Sequence, residues 1–117
     1  MDSILNSVKK QLGISEEYDH FDFDLITLIN TILGRLCMIG LGPYKEGYQI
    51  RDAGNTWDEF IHDARNLEMV KTYVFLNVKM LFDPPQNGSA INTYERMIEE
   101  LEWRIYMIAD RTPLEEN

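Results

Sequence analysis

Few residues of this chain have the type and spacing that chemistry needs. Its two histidines stand beside carboxylates: Asp19 and Asp22 flank His20, and Asp63 follows His62. A metal site would require His20, Asp22, Asp24 and His62 to converge, and no H-E-x-x-H or comparable ligand spacing draws them together. Both read as surface histidines near helix ends. Cys37 is the only cysteine, which excludes an intrachain disulfide and a multi-cysteine metal site. A nucleophilic Cys37–His pair would need an exposed, acidified thiol. Cys37 instead sits in the apolar run Leu36-Cys37-Met38-Ile39 and reads as a small buried hydrophobe in a reducing compartment. Glu99 and Glu102 share a helix face, but with Glu100 they are expected in solvent and do not make an acid/base pair. Gly40-x-Gly42 leads into Pro43 rather than a helix, so no glycine loop cradles a phosphate. These residues point to no enzyme, no metal and no cofactor.

Charge narrows the partners. Twenty acids against eleven bases give a net charge of −9, which disfavours free binding to DNA and to anionic membranes. The bases are scattered singly apart from Lys9-Lys10, so a basic nucleic-acid groove is not expected. Between Gln11 and Gly34 stand five acids, Glu16, Glu17, Asp19, Asp22 and Asp24, and no lysine or arginine. They read first as a solvated face that keeps the protein soluble. With 117 residues, 44% hydrophobic and 26% charged, the chain suits one ordered domain with one core. No apolar run approaches the roughly 18 residues of a membrane span. The start, Met1-Asp2-Ser3-Ile4-Leu5, lacks the basic and long apolar regions of a signal peptide. The expectation is a soluble, intracellular protein.

Apolar spacing assigns an all-α domain over residues 1–110, with three main helices (about 20–39, 66–82 and 90–109) and two shorter ones (about 3–12 and 57–63). Ile4, Leu5, Val8 and Leu12 form the first stripe; Gly13 stops it, and Lys9 and Lys10 are expected on its outer side. Leu25, Leu28, Ile29, Ile32, Leu36 and Ile39 form the second, with Asp19 or Asp22 as its cap and Gly40–Pro43 as its end. Residues 43–55 are irregular, and Tyr48-Gln49-Ile50 suits a short strand or extended chain. Thr56-Trp57-Asp58-Glu59 has the form of a capping box, predicting a short helix that buries Trp57, Phe60 and Ile61. Residues 66–82 are apolar on nearly every side, the pattern of a central helix, and Asp83-Pro84-Pro85 ends it. Ser89 is the expected cap of the last helix, striped by Ile91, Tyr94, Ile98, Leu101, Ile105 and Ile108, with Glu100 and Arg104 paired on its polar side. The tail 111–117 has no core to pack on and is expected to be mobile in the isolated protein.

With catalysis disfavoured, an interaction module remains. Aromatics make up 11% of the chain, and Tyr18, Phe21, Phe23, Tyr44, Tyr48, Trp57, Tyr94, Trp103 and Tyr106 do not all fit a core of this size. Phe23 and Trp103 lie off their helices' stripes, as core extensions or as interface anchors. A long amphipathic helix late in a small acidic chain also fits association with copies of itself.

The order of these motifs resembles the small head–tail connector (adaptor, or head-completion) proteins of long-tailed bacteriophages. The matching stretches are SILNSVKKQLGI at 3–14, FDFDLITLINTILGRLCMIGLGP at 21–43, TWDEFI at 56–61, NLEMVKTYVFLNVKMLFDPP at 66–85 and ERMIEELEWRI at 95–105. The FDPP helix end, followed by a turn and the ELEWR helix, is the most specific part. The resemblance implies an all-helical subunit that assembles into a ring of about a dozen copies. Such a ring docks beneath the portal after packaging, extends the DNA channel and presents a surface to the stopper or tail completion protein. It also implies a virion location at the head–tail junction, reached from the host cytoplasm during assembly. On that reading Phe23, Tyr44, Tyr48, Trp103, Tyr106, Arg111 and Leu114 are candidate partner contacts. Glu16, Glu17, Asp19, Glu99 and Glu102 are candidate channel-facing acids that would let DNA slide without sticking. In related connectors a C-terminal segment meets the portal, which here falls on Ala109 to Asn117. The competing reading is an acidic nucleic-acid mimic that blocks a host DNA-binding protein. Arg96 and Arg104, set among the acids of the last helix, count against it.

Overall fold

A computed structural model describes residues 2–42, 47–61 and 64–111, together with their side chains save those of Ala64, Arg65, Asp110 and Arg111. Tyr44, His62, Leu114 and the rest of the tail beyond Arg111 lie outside the described residues. Within them the chain folds as five helices and no strand: α1 (Ile4–Leu12), α2 (Asp22–Met38), α3 (Trp57–Phe60), α4 (Ala64–Phe82) and α5 (Gly88–Arg111). All the predicted helices are present, with boundaries shifted by a few residues at most.

Helix α1 begins where the Ser3 side chain accepts the Asn6 N–H at 3.1 Å and ends at Gly13, whose φ of 81° suits glycine. Its inner face buries Ile4, Leu5 and Val8, worth about 1.5–3 kcal/mol per side chain. Lys9 corrects the expectation of an outward lysine: it is only 1% exposed. Its ammonium donates to Asp22 Oδ1 at 2.8 Å and to the Glu16 carbonyl at 3.0 Å. A lysine is buried only when its charge is met in this way, and here it clamps the linker between α1 and α2 onto both helices.

Neither Asp19 nor Asp22 caps α2. Phe21 occupies the cap position without a side-chain bond, because the Asp22 carboxylate is committed to Lys9, while Asp19 accepts the Asp22 N–H through its carbonyl at 3.1 Å. The other end follows the glycine stop: with Gly40 at φ 97°, its N–H reaches the Cys37 carbonyl and the Leu41 N–H reaches that of Leu36. Residues 47–50 have no regular secondary structure and join no strand. Instead Asn30 of α2 serves Ile50 as a neighbouring strand would, accepting its N–H at 2.8 Å and donating to its carbonyl at 3.1 Å. Ile50 can thereby be buried without leaving backbone groups unpaired.

The capping box at 56–59 lacks its Thr56 side-chain arm, while the Glu59 carboxylate still feels the Thr56 backbone amide. Thr56 makes no side-chain cap bond; its hydroxyl donates to Asp58, and the Glu59 carboxylate turns to Tyr48 and Asn55. The single turn α3 is held instead by an isolated bridge between Ser3 and Thr56, with Ile4 N–H on the Asn55 carbonyl and Trp57 N–H on that of Asp2. Trp57, Phe60 and Ile61 are buried, as the sequence predicts. Trp57 Nε1 donates to Ser7 of α1 at 3.1 Å.

Helix α4 is the centre: α1, α2 and α5 all pack on it, while α2 and α5 hardly touch each other. Val70, Tyr73, Val74, Leu76 and Val78 are buried, but Leu81, in the same apolar run, is exposed at the last turn. Helix α5 is capped by Asn87, not Ser89: the Asn87 side chain accepts the Ala90 N–H at 2.8 Å, which moves the start upstream and leaves Ser89 in the first turn. The Glu100–Arg104 pair is present at 2.9 Å. The molecule is a slab of 45 × 34 × 22 Å, so its thin dimension is about two helix diameters.

Candidate functional site

The groups that most resemble catalysts are placed where they do little chemistry. Cys37 is buried, and desolvation pushes its thiol above the ordinary value, the reverse of an activated nucleophile. His20 lies in an exposed aromatic group, edge-on to Phe21 at 4.9 Å and 6.0 Å from Tyr18; Phe21 in turn meets Phe82 at 5.2 Å. Among the described residues, no group of three or more histidines, cysteines and acids is placed to hold a metal ion. No described helix is long and apolar enough to cross a membrane. An open groove of about 490 Å³ runs between α1 and α4, past Lys10, Trp57, Lys71 and Phe75. Its charges largely answer one another: the Lys71 ammonium lies 3.4 Å from Asp2, 3.8 Å from Glu68 and 6.0 Å from the centre of the Trp57 ring.

The candidate acids separate into two places. Glu16, Glu17 and Asp19 are exposed on the linker between α1 and α2. Glu17 accepts from the Ser15 hydroxyl, which holds its carboxyl below the usual range. Glu99 and Glu102 lie on α5, away from that linker in the chain, and they differ from one another. Glu99 is exposed, whereas Glu102 is half-buried and accepts the Tyr73 hydroxyl at 2.8 Å. Tyr73 is held protonated by burial and then, against the pull of nearby Arg35, by that carboxylate. Glu102 therefore has one oxygen already engaged in tying α5 to α4.

The candidate contact residues also divide. Tyr48 turns inward: its ring packs 5.5 Å from Phe60, and its hydroxyl donates to Glu59 at 2.7 Å. Burial, reinforced by the Glu59 bond, raises the phenol well above its usual pKa, while the Asn55 and Tyr48 bonds lower that of Glu59. Phe23, Trp103 and Tyr106 point out, 78%, 64% and 61% exposed. Arg111 ends α5, with its side chain outside the description. The sequence reading missed Met38, the most exposed of the described large apolar residues at 84%, and Met107. Helical arithmetic could have found both: Met107 follows Trp103 by four residues, and Met38 lies on the side of α2 opposite Ile29.

These side chains form two unpartnered helix faces. On α5, Trp103, Tyr106 and Met107 are neighbours at i, i+3 and i+4. On α2, the outward line runs Phe23, Thr27, Thr31, Gly34 and Met38. Both threonine hydroxyls donate to carbonyls one turn back in their own helix, at 3.0 Å each, so the line offers no free hydroxyl proton. A Cβ added at Gly34 would meet nothing within 4 Å. Each lies on the side of its own helix turned from the core, and the ends of the two helices approach where Gly40 lies beside Ala109.

A helical slab with an acidic surface, no catalytic group assembled among the described residues, and apolar residues exposed on two helices has the make-up of a subunit in an assembly. The comparison with protein-family models decides which: the phage connector protein model matches residues 4–112. The chain belongs to the phage connector family. No curated protein and no solved structure matches it. The family role of this connector is structural, in the joint between phage head and tail, and its architecture is all-α, as the sequence resemblance implies.

Proposed function

We propose that this connector forms a closed ring beneath the portal, extends the DNA channel and presents its far side to the stopper or tail completion protein. The family match over residues 4–112 carries this reading. The apolar residues left exposed on α2 and α5 support it, because a ring needs two different surfaces that meet head to tail. The residues facing partners are Phe23, Trp103 and Tyr106, with Tyr44, and with Arg111 and Leu114 toward the portal. Residues 1–110 form the ring body and 111–117 the portal-docking tail. The virion is its final location, after assembly in the host cytoplasm.

The channel reading concerns Glu16, Glu17, Asp19, Glu99 and the free oxygen of Glu102. At physiological salt a charge is screened within about 8 Å, so only carboxylates at the lumen wall can hold the phosphate backbone off. Their task is to leave DNA unbound, which an acidic wall does and a basic one does not. The nucleic-acid mimic is not favoured. On α5, Glu100 is paired with Arg104 and Glu102 with Tyr73, so these acids do not form a free row spaced like phosphates.

A phage lacking this gene tests the function. Its heads should package DNA, lose it and fail to join tails, and purified protein added to them should restore joining. Heads that keep their DNA and take up tails without the protein overturn the reading.

A further inference from the structure

We propose that adjacent copies of the connector exchange helix α5: the hinge at 83–87 opens, and the α5 of one subunit lies on the α4 of the next as it lies on its own. This deepens the ring reading and rests on it only for closure of the assembly. Helix α5 draws nearly all its packing from α4, whereas α1 packs on both α2 and α4. Of its described side chains only Ile105 is fully buried, and Ile98 and Leu101 are partly buried against the core. The Tyr73–Glu102 bond, at 2.8 Å, adds a polar tie to that stripe. A helix with so few buried apolar contacts belongs to the part of a fold that opens first. The face of α4 uncovered by opening already fits one occupant, this same helix. Ile98, Leu101, Glu102 and Ile105 find the same surroundings on either chain, so exchange restores the contacts that opening removes.

The hinge permits the exchange. Phe82 ends α4 and Gly88 begins α5, and Asp83-Pro84-Pro85-Gln86-Asn87 joins them. Pro84 and Pro85 have no N–H to tie this segment to the body, and they keep α4 and α5 from merging into one helix. A proline pair is stiff and extended, at about 3.1 Å per residue. Once the turn at Gln86 and Asn87 unwinds, it leads α5 away from its own α4. The bonds at the two helix ends do not oppose this. Asp83 is tied back to Lys79, which fixes the end of α4, and the Asn87 cap on the Ala90 N–H travels with α5. Leu81 points the same way. It is 57% exposed in the last turn of α4, next to the hinge. An arriving α5 brings its neighbour's hinge, with two further proline rings, alongside this bare leucine.

A cysteine pair can report which chain supplies α5. A Cβ added at Gly40 lies 3.9 Å from that of Ala109, within the roughly 3.5–4.5 Å of a disulfide. Gly40→Cys with Ala109→Cys, in a Cys37→Ala background, therefore staples the end of α5 to the body. Oxidised as a dilute monomer, the variant should close the bond within one chain and then fail to assemble until it is reduced. Oxidised after assembly, it should bond chain to chain and give a ladder of covalent oligomers in a denaturing gel. Assembled protein whose bonds all lie within single chains overturns the exchange, as does a stapled monomer that assembles like the reduced one. Gly40 sits at φ 97°, where cysteine is strained. If the variant does not fold, an electron-microscopy map of the assembled wild type decides, by whether the hinge crosses to the next subunit or returns to its own α4. A wild type that is monomeric both at millimolar concentration and on portal-bearing heads overturns the exchange too. Hydrogen exchange of the wild-type monomer reads the opening itself. Amides of residues 98–108 should exchange ahead of those of Val70–Val78, and about tenfold faster again in Tyr73→Phe, which loses the bond to a carboxylate. Amides of α5 as slow as those of α4 overturn the opening. The two readings fail separately. Bonds within single chains in assembled protein remove the exchange and leave the head–tail role, whereas bonds between chains, together with heads that join tails unaided, do the reverse.

Discussion

Helix α1 has nine residues and buries four of them, Ile4, Leu5, Val8 and Lys9. Helix α5 has twenty-four, and of its described side chains only Ile105 is fully buried. The short helix spends nearly all its chemistry inward: apolar stripe on the core, lysine on Asp22, serine on Trp57. The long one is held to α4 by a half-buried stripe and by the Tyr73–Glu102 bond, and it keeps a tryptophan, a tyrosine and a methionine in water. Length alone therefore says little about what a helix is for. The first works as a clamp within the subunit, and the second displays a surface to others.

The sharpest way to break this contrast is to truncate one tryptophan in each region. Trp57→Ala should cost about 3–5 kcal/mol, as for other large core residues. Trp103→Ala should move the stability of the isolated subunit by less than about 0.5 kcal/mol. Urea unfolding followed by circular dichroism measures both, and equal losses would erase the distinction. Next in size is Lys9→Met. It leaves Asp22 and the Glu16 carbonyl without their donor, but the partly exposed Asp22 can recover water, so the loss should fall at about 2 kcal/mol, below the range for a fully buried pair. Asn30→Leu strips Ile50 of both backbone partners and should cost about 1–2 kcal/mol. The Ile50 amide should then exchange with solvent far faster than in the wild type.

A smaller effect is read by pH. The folded Tyr48 keeps its proton above the usual phenol value, through burial and the Glu59 bond. Its contribution is complete below about pH 10 and is lost as the pH rises beyond that, because the unfolded state gives up its proton first. The folded Glu59 carboxyl sits below its ordinary 4.5, so its contribution is present above that value and is lost as the pH falls through the folded one. Thermal melts of Tyr48→Phe across pH should show a shallower alkaline fall than the wild type.

Inward faces were legible in the sequence and outward ones were not, for a physical reason. Stripes such as Ile4–Leu5–Val8 and Val70–Val74–Val78 record which side of a helix meets the core, because burial imposes the period. What lies on the other side follows only by subtraction, so Phe23 and Trp103 stood out as off-stripe aromatics while Met38, in an apolar run, did not. Lys9 was misread because its burial depends on Asp22, thirteen residues away, which no local pattern contains. The Thr56 and Ser89 caps failed for a related reason. Thr56, Glu59 and Ser89 have the right types, but Asp58, Tyr48 and Asn87 compete for the same bonds at closer or better-placed geometry. Tyr48, drawn inward by Phe60 and Glu59, shows that an aromatic in an irregular stretch can belong to the core.

The bridge between Ser3 and Thr56 has a consequence in time as well as in space. Helix α1 docks against Trp57 and Ser7 bonds its indole, fifty residues along the chain. At a synthesis rate of about 5–20 residues per second, the first helix waits roughly 3–10 s before the turn that secures it has been made. Throughout that interval Ile4, Leu5 and Val8 have no finished core to enter, and Lys9 meets Asp22 well before Trp57 exists. The lysine clamp is thus the earliest long-range tie the growing chain can form, and it holds the beginning of the protein in place for a partner still to be translated.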